Sequence, residues 1–120
     1  MAETEGVDYS YGRPGGKALA AAGKKFACRY VSYSAGKNID RAEATDLAAP
    51  GVSSVVVWES PQKRPLDGRA AGVQDATKAL QQARAAGMPA GRPVYFAVDW
   101  DATEAQQSKI NAYFDGAASV

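Results

Sequence analysis

Ser53-Ser54-Val55-Val56-Val57-Trp58-Glu59 is the stretch that decides the fold. A strand with one face in water alternates apolar and polar residues, and this one does not. Its unbroken apolar run from Val55 to Trp58 suits a parallel strand buried on both faces. A polar loop with Pro61, Pro65 and Gly68 follows. Beyond it, Val73 to Ala86 reads as a helix with Val73, Ala76, Leu80 and Ala83 at i, i+3 or i+4 spacing, closed by Gly87. Val94 to Asp99 reads as a fourth strand. Thr103 then caps a last helix running toward Phe114, with Gln106 at the capping-box position.

The same alternation holds upstream. Gly6 to Ser10 is a short first strand, and Lys17 to Ala22 a helix ended by Gly23. Phe26 to Tyr33, rich in aromatic and β-branched residues, is the second strand. Arg41 to Ala49 is a helix with Asp40 as N-cap and Glu43 completing a capping box, stopped by Pro50-Gly51. The order βαβαβαβα calls for an α/β fold, a parallel (βα)4 unit with right-handed crossovers.

The chain has 120 residues, 46% of them hydrophobic and 22% charged, enough for one domain over residues 1–120. Fourteen basic against thirteen acidic residues leave a net charge of +1, so nothing argues for nucleic acid or an anionic membrane as partner. Histidine is absent, which excludes Ser-His-Asp and Cys-His catalysis and most zinc sites. One cysteine builds no disulfide framework. Cys28 lies inside a strand without a histidine partner, so it reads as a structural thiol. Apolar runs fall far short of the ~20 residues that span a bilayer. The opening residues carry no signal-peptide pattern. Gly12 to Lys17 fails the phosphate-loop spacing, with Tyr11 at the first glycine position and Ala18 after the lysine.

The chemistry lies at the strand ends. Asp8 closes the first strand, Glu59 the third and Asp99 the fourth, with Asp101 two residues on. Parallel α/β folds bind ligands outside the carboxyl ends of their strands, so these acids converge on one rim. If strand geometry continues through Asp99-Trp100-Asp101, both carboxylates point the same way with Cα atoms ~6.6 Å apart. Carboxyl groups can then approach the ~5–9.5 Å separations of glycoside hydrolysis, dividing proton donor from ionised stabiliser. Arg29, mid-strand among apolar residues, needs a partner, and Asp8 or Glu59 is the expected one if it faces the strand ends. Trp100 offers an aromatic face to a sugar ring, whereas alternation points Trp58 away from Glu59. Tyr9, Tyr30 and Tyr33 are candidate hydrogen-bond donors in the same cleft, with core packing the default for Tyr30.

These residues carry a resemblance. Gly6-Val7-Asp8, Arg29-Tyr30, Val57-Trp58-Glu59, then Gly72, Asp75 and Ala76, and finally Pro93 to Asp99, together resemble the glycoside-hydrolase-like TIM-barrel domain of actinobacterial and phage proteins. That domain is similar to the glycoside hydrolase family 25 lysozymes. The match runs from Gly6 to about Phe114. It implies a TIM-like barrel whose rim acids act on, or bind, cell-wall glycan at the bacterial wall, in a phage-borne protein or one exported by another route. Asp99 takes the place of the carboxylate that stays ionised at the sugar C1. Asp101 falls at the general-acid position, one methylene shorter than the family's glutamate. Asp8 is the supporting first-strand acid, and Glu59 positions substrate or replaces the missing acid.

A lysozyme-like peptidoglycan glycosidase is the first expectation, with Asp99, Asp101, Asp8 and Glu59 catalytic and Arg29, Tyr9 and Trp100 on the substrate. A non-catalytic glycan-binding or structural module on the same fold is the second. No cofactor or metal is called for; a third reading gathers the four acids around a hard divalent cation. A complete barrel needs ~250 residues, so four βα units make the N-terminal half of one. The exposed edge and interior then predict a homodimer or a partner subunit that completes it, the alternatives being a part of the protein missing from this chain or a compact open-sheet fold with its own cover.

Overall fold

The computed structural model describes residues 3–120 as four strands alternating with four α-helices. They are β1 (Gly6–Asp8), α1 (Gly16–Ala21), β2 (Phe26–Ser32), α2 (Arg41–Ala48), β3 (Ser53–Glu59), α3 (Arg69–Ala85), β4 (Tyr95–Phe96) and α4 (Gln107–Ala118). Single 3-10 turns lie at Ala35–Lys37, Arg64–Asp67 and Glu104–Gln106. Sheet order follows chain order, and every pairing is parallel. Asp8 sits opposite Cys28 and Cys28 opposite Val55; Tyr30, Val57 and Tyr95 form a second row and Val31, Trp58 and Phe96 a third. This is the parallel α/β (βα)4 unit that the periodicity predicts.

The two sheet faces differ. Ala27, Arg29, Val31, Val56 and Trp58 are buried in a core with Leu19, Leu47, Ala79 and Ala83 from the helices. The alternate residues Cys28, Tyr30, Val55 and Val57 are only half-buried, and Tyr95 is 55% exposed. The β3 run is therefore covered on one face, not both, because the helices pack on one side of the sheet. A radius of gyration of 15.4 Å, against roughly 14 Å for a compact domain of this length, fits such an open sheet.

Two strands are shorter than their sequence suggests. β1 stops at Asp8 instead of Ser10, because the carbonyls of Tyr9 and Ser10 accept from the Arg29 guanidinium at 2.6 and 3.3 Å. β4 is two residues long and not six. It pairs only with β3 at the sheet edge, and beyond Phe96 the chain leaves the ladder. The longest helix, α3, begins at Arg69, ahead of the expected Val73, and its buried stripe is Ala71, Gly72, Asp75, Ala76, Ala79 and Ala83. Gly72 and Gly116 let α3 and α4 touch backbone to backbone. A Cβ at Gly72 would fall 1.9 Å from the Tyr113 carbonyl oxygen, and one at Gly116 would fall 2.1 Å from that of Arg69. The Thr103–Gln106 capping box forms as read. That of Asp40 forms by half: Asp40 accepts from the Glu43 amide at 2.8 Å, but the Glu43 side chain goes elsewhere.

Candidate functional site

Parallel pairing brings the carboxyl ends of the strands to one rim, and with them the acids. Asp8 ends β1 and is exposed; Glu59 ends β3; Asp99 and Asp101 lie beyond β4, both exposed. Asp8 accepts a short hydrogen bond from the Tyr30 hydroxyl. Tyr30 reaches it because alternation along β2 turns its side chain to the uncovered face. The hydrogen bond to Asp8, partial burial and the negative charges of Asp8 and Glu59 push the Tyr30 phenol up to about 12, so it remains a donor. Glu59 is paired with Lys37, Nζ to Oε1 2.7 Å, from the turn that follows β2.

Asp99 and Asp101 are held differently. The Asp99 carbonyl accepts from Gln62 Nε2 at 3.1 Å, while Trp100 turns its indole N–H onto Gln106 Oε1 at 3.1 Å and is half-buried. Among the described residues no side chain bonds either carboxylate. With β4 ending at Phe96, strand alternation no longer sets their relative direction; the loop and the capped start of the last helix do. No three histidine, cysteine, aspartate or glutamate side chains among the described residues gather closely enough to share a metal ion. The four rim acids are spread along the edge, not clustered.

Arg29 and Tyr9 are engaged on the helix side of the sheet. Arg29 is fully buried on the helix side and forms a fork onto Glu43 of α2, Nε to Oε2 2.7 Å and a terminal guanidinium nitrogen to Oε1 2.9 Å. It pairs with neither Asp8 nor Glu59. Tyr9 donates its hydroxyl to Glu43 Oε2 at 2.8 Å, with the guanidinium 4.5 Å from its ring centroid, and Arg13 adds a third donor at 3.0 Å. Burial raises the Glu43 carboxyl, but the hydrogen bonds from Arg29 and Tyr9 and the two guanidinium charges outweigh it and leave it below the ordinary value. Burial, the bond to Glu43 and its charge push the Tyr9 phenol up to about 12. This group ties β1, β2 and α2 together.

Sequence reasoning missed a second buried acid as a centre of bonding. Asp75 of α3 is completely buried and accepts from Tyr33 at 2.8 Å, from Tyr113 at 2.6 Å and from Arg64 at 3.1 Å. Tyr33 in turn packs edge-on against Trp58, centroids 5.0 Å apart. Its phenol is raised by burial and by its bond to Asp75. The available signal was position: Asp75 lies on the same helical stripe as Ala71, Ala79 and Gly72, where an acid must find donors. Glu43, four residues before Leu47, carried the same signal. Cys28 is half-buried beside Asp8, and burial and that charge push its thiol up.

Residues 17–120 match the model of the Rv2525c-like, glycoside hydrolase-like domain. Over 103 residues the chain is 33% identical to the protein named "Putative peptidoglycan hydrolase Rv2525c" of Mycobacterium tuberculosis (strain ATCC 25618 / H37Rv), covering 78% of this chain and 43% of that one. Two crystal structures of the M. tuberculosis Tat-secreted protein Rv2525c superpose on it. The complex with HEPES gives a TM-score of 0.85 at 30% identity, and the complex with L-tartrate 0.86 at 31%; each covers 94% of this chain and 61% of the crystallised one. The chain thus spans under half the length of its curated relative and about three fifths of the solved chains. The family model over residues 17–120, with the sequence and structural matches to Rv2525c, places the chain in the Rv2525c-like glycoside hydrolase-like family.

Proposed function

We propose that this domain is the acid-bearing half of a lysozyme-like glycosidase that acts on bacterial cell-wall peptidoglycan. The observation that carries the reading is the line of Asp8, Glu59 and Asp99 at or just past the carboxyl ends of parallel strands in one sheet. The name of the M. tuberculosis relative supports the polymer, and its description as Tat-secreted supports action at the wall. In this mechanism Asp101 protonates the departing glycosidic oxygen while the C1–O bond breaks. Asp99, ionised, stabilises the positive charge that develops at C1. Water then adds hydroxide to C1 and returns a proton to the acid. Trp100 stacks on a sugar ring at the same edge. The open face of the sheet, with Tyr95 exposed and Val57 half-buried, is closed by a second half barrel, from further residues of the same polypeptide, another copy or a partner subunit.

A non-catalytic glycan-binding module on the same fold is the alternative. One observation favours it: Asp101 is a short acid in a loop outside the ladder, not a glutamate held by a strand. A wall pull-down run beside a reducing-end assay on purified peptidoglycan separates the two. Retention with release of reducing ends supports the glycosidase; retention alone supports the module. Absence of both would end either reading.

A further inference from the structure

β2 differs from its neighbours in carrying no acid at its end, yet it lies between the two strands that do, β1 and β3. What it carries instead are donors. Tyr30, facing the uncovered side, donates a hydrogen bond to Asp8 on one flank; Lys37, from the turn after β2, forms an ion pair with Glu59 on the other, 2.7 Å apart. We propose that Tyr30 and Lys37 are positioning residues that fix Asp8 and Glu59 as oriented acceptors for sugar hydroxyls, leaving the proton chemistry to Asp99 and Asp101. The inference rests on the glycosidase reading and deepens it.

Three features carry the assignment. Each carboxylate has one oxygen engaged, Asp8 Oδ1 by a hydrogen bond from Tyr30 and Glu59 Oε1 by an ion pair with Lys37, and among the described residues no side chain holds the second oxygen. A carboxylate that accepts a fixed donor is poised to hold hydroxyl groups and is poorly suited to deliver a proton. Asp99 and Asp101 lack such donors among the described residues and keep both oxygens available. The Lys37 side chain is 17% exposed against 37% for Glu59, so the carboxylate is the more accessible partner of the pair. A partly exposed ion pair of this kind adds little to stability, about 0–1 kcal/mol, which leaves orientation as its main effect.

The test combines a glycan readout with one that needs no activity. Tyr30→Phe and Lys37→Met, assayed on soluble peptidoglycan fragments, are expected to raise KM about tenfold with a smaller loss in kcat, and Lys37→Arg to restore most of it. Thermal midpoints should stay near that of the parent protein. Wild-type KM in both variants would overturn the assignment. Independently, phenolate absorbance on alkaline titration should show several late-titrating tyrosines, with one fewer in Tyr30→Phe and one moved to lower pH in Asp8→Asn. No movement in Asp8→Asn would overturn the pairing. If the titration behaves as expected but the parent protein neither retains nor cleaves the fragments, the glycosidase reading falls, and the sugar-holding role with it.

Discussion

Replacing Glu43 by glutamine tests the frame beneath the rim. The substitution keeps the side-chain shape and removes the charge that compensates Arg29, whose side chain is 0% exposed beside a Glu43 at 5%. The fork at 2.7 and 2.9 Å loses its ionic partner, and the donors from Tyr9 and Arg13 face a weaker acceptor. Breaking a buried pair from one side costs about 3–5 kcal/mol, because the remaining charge stays buried without compensation. Domains of this kind have only about 5–15 kcal/mol in total. At roughly 3–5 °C per kcal/mol, the thermal midpoint should fall by about 10–25 °C. Circular dichroism melts and denaturant titration measure it. Adding Arg29→Met should recover part of the loss, since the orphan charge goes too. A midpoint within about 3 °C of the parent would refute the reasoning. The pH dependence follows with its sign. Glu43 is depressed in the folded state, so its stabilisation is complete above the unfolded value of about 4.3 and disappears as pH falls through the folded one. Acid should therefore destabilise the parent more steeply than Glu43→Gln.

Other expectations are simpler. Gly72→Ala places a methyl against the Tyr113 carbonyl, which must force α3 and α4 apart; a loss of about 1–3 kcal/mol in denaturant titration is expected, and an unchanged midpoint would contradict the close crossing. Cys28, raised by burial and by Asp8, should react slowly with a thiol reagent at neutral pH and faster in Asp8→Asn; rapid labelling of the folded parent would contradict this. Sedimentation of these 120 residues should find a dimer or a larger assembly; a monomer across the micromolar range would remove closure of the sheet by a second copy from the account.

The legible parts of the sequence were those where one physical cause dominates. β3 and the helix now bounded at Ala85 follow from long uninterrupted patterns, and the strand-end acids follow from the topology that those patterns require. β4 could not be measured from its residues. Val94 to Asp99 has strand chemistry throughout, but strand length at an edge is set by what pairs with it, and only Val57 and Trp58 do. Arg29 announced that it needed a partner without saying which face it took, since apolar residues stand on both sides of β2. Its choice of Glu43 became visible only with α2 laid across the strand. Asp75 and Tyr113, 38 positions apart, met through helix packing that no local pattern encodes.

The central claim is that the rim acids hydrolyse peptidoglycan. Its most direct test is the rate of reducing-end release from purified peptidoglycan by the parent protein and by Asp99→Asn, which keeps size and removes charge. The account predicts measurable release by the parent and a loss of at least about a hundredfold in the variant, with fold and melting midpoint retained. Equal release by the two proteins would contradict it.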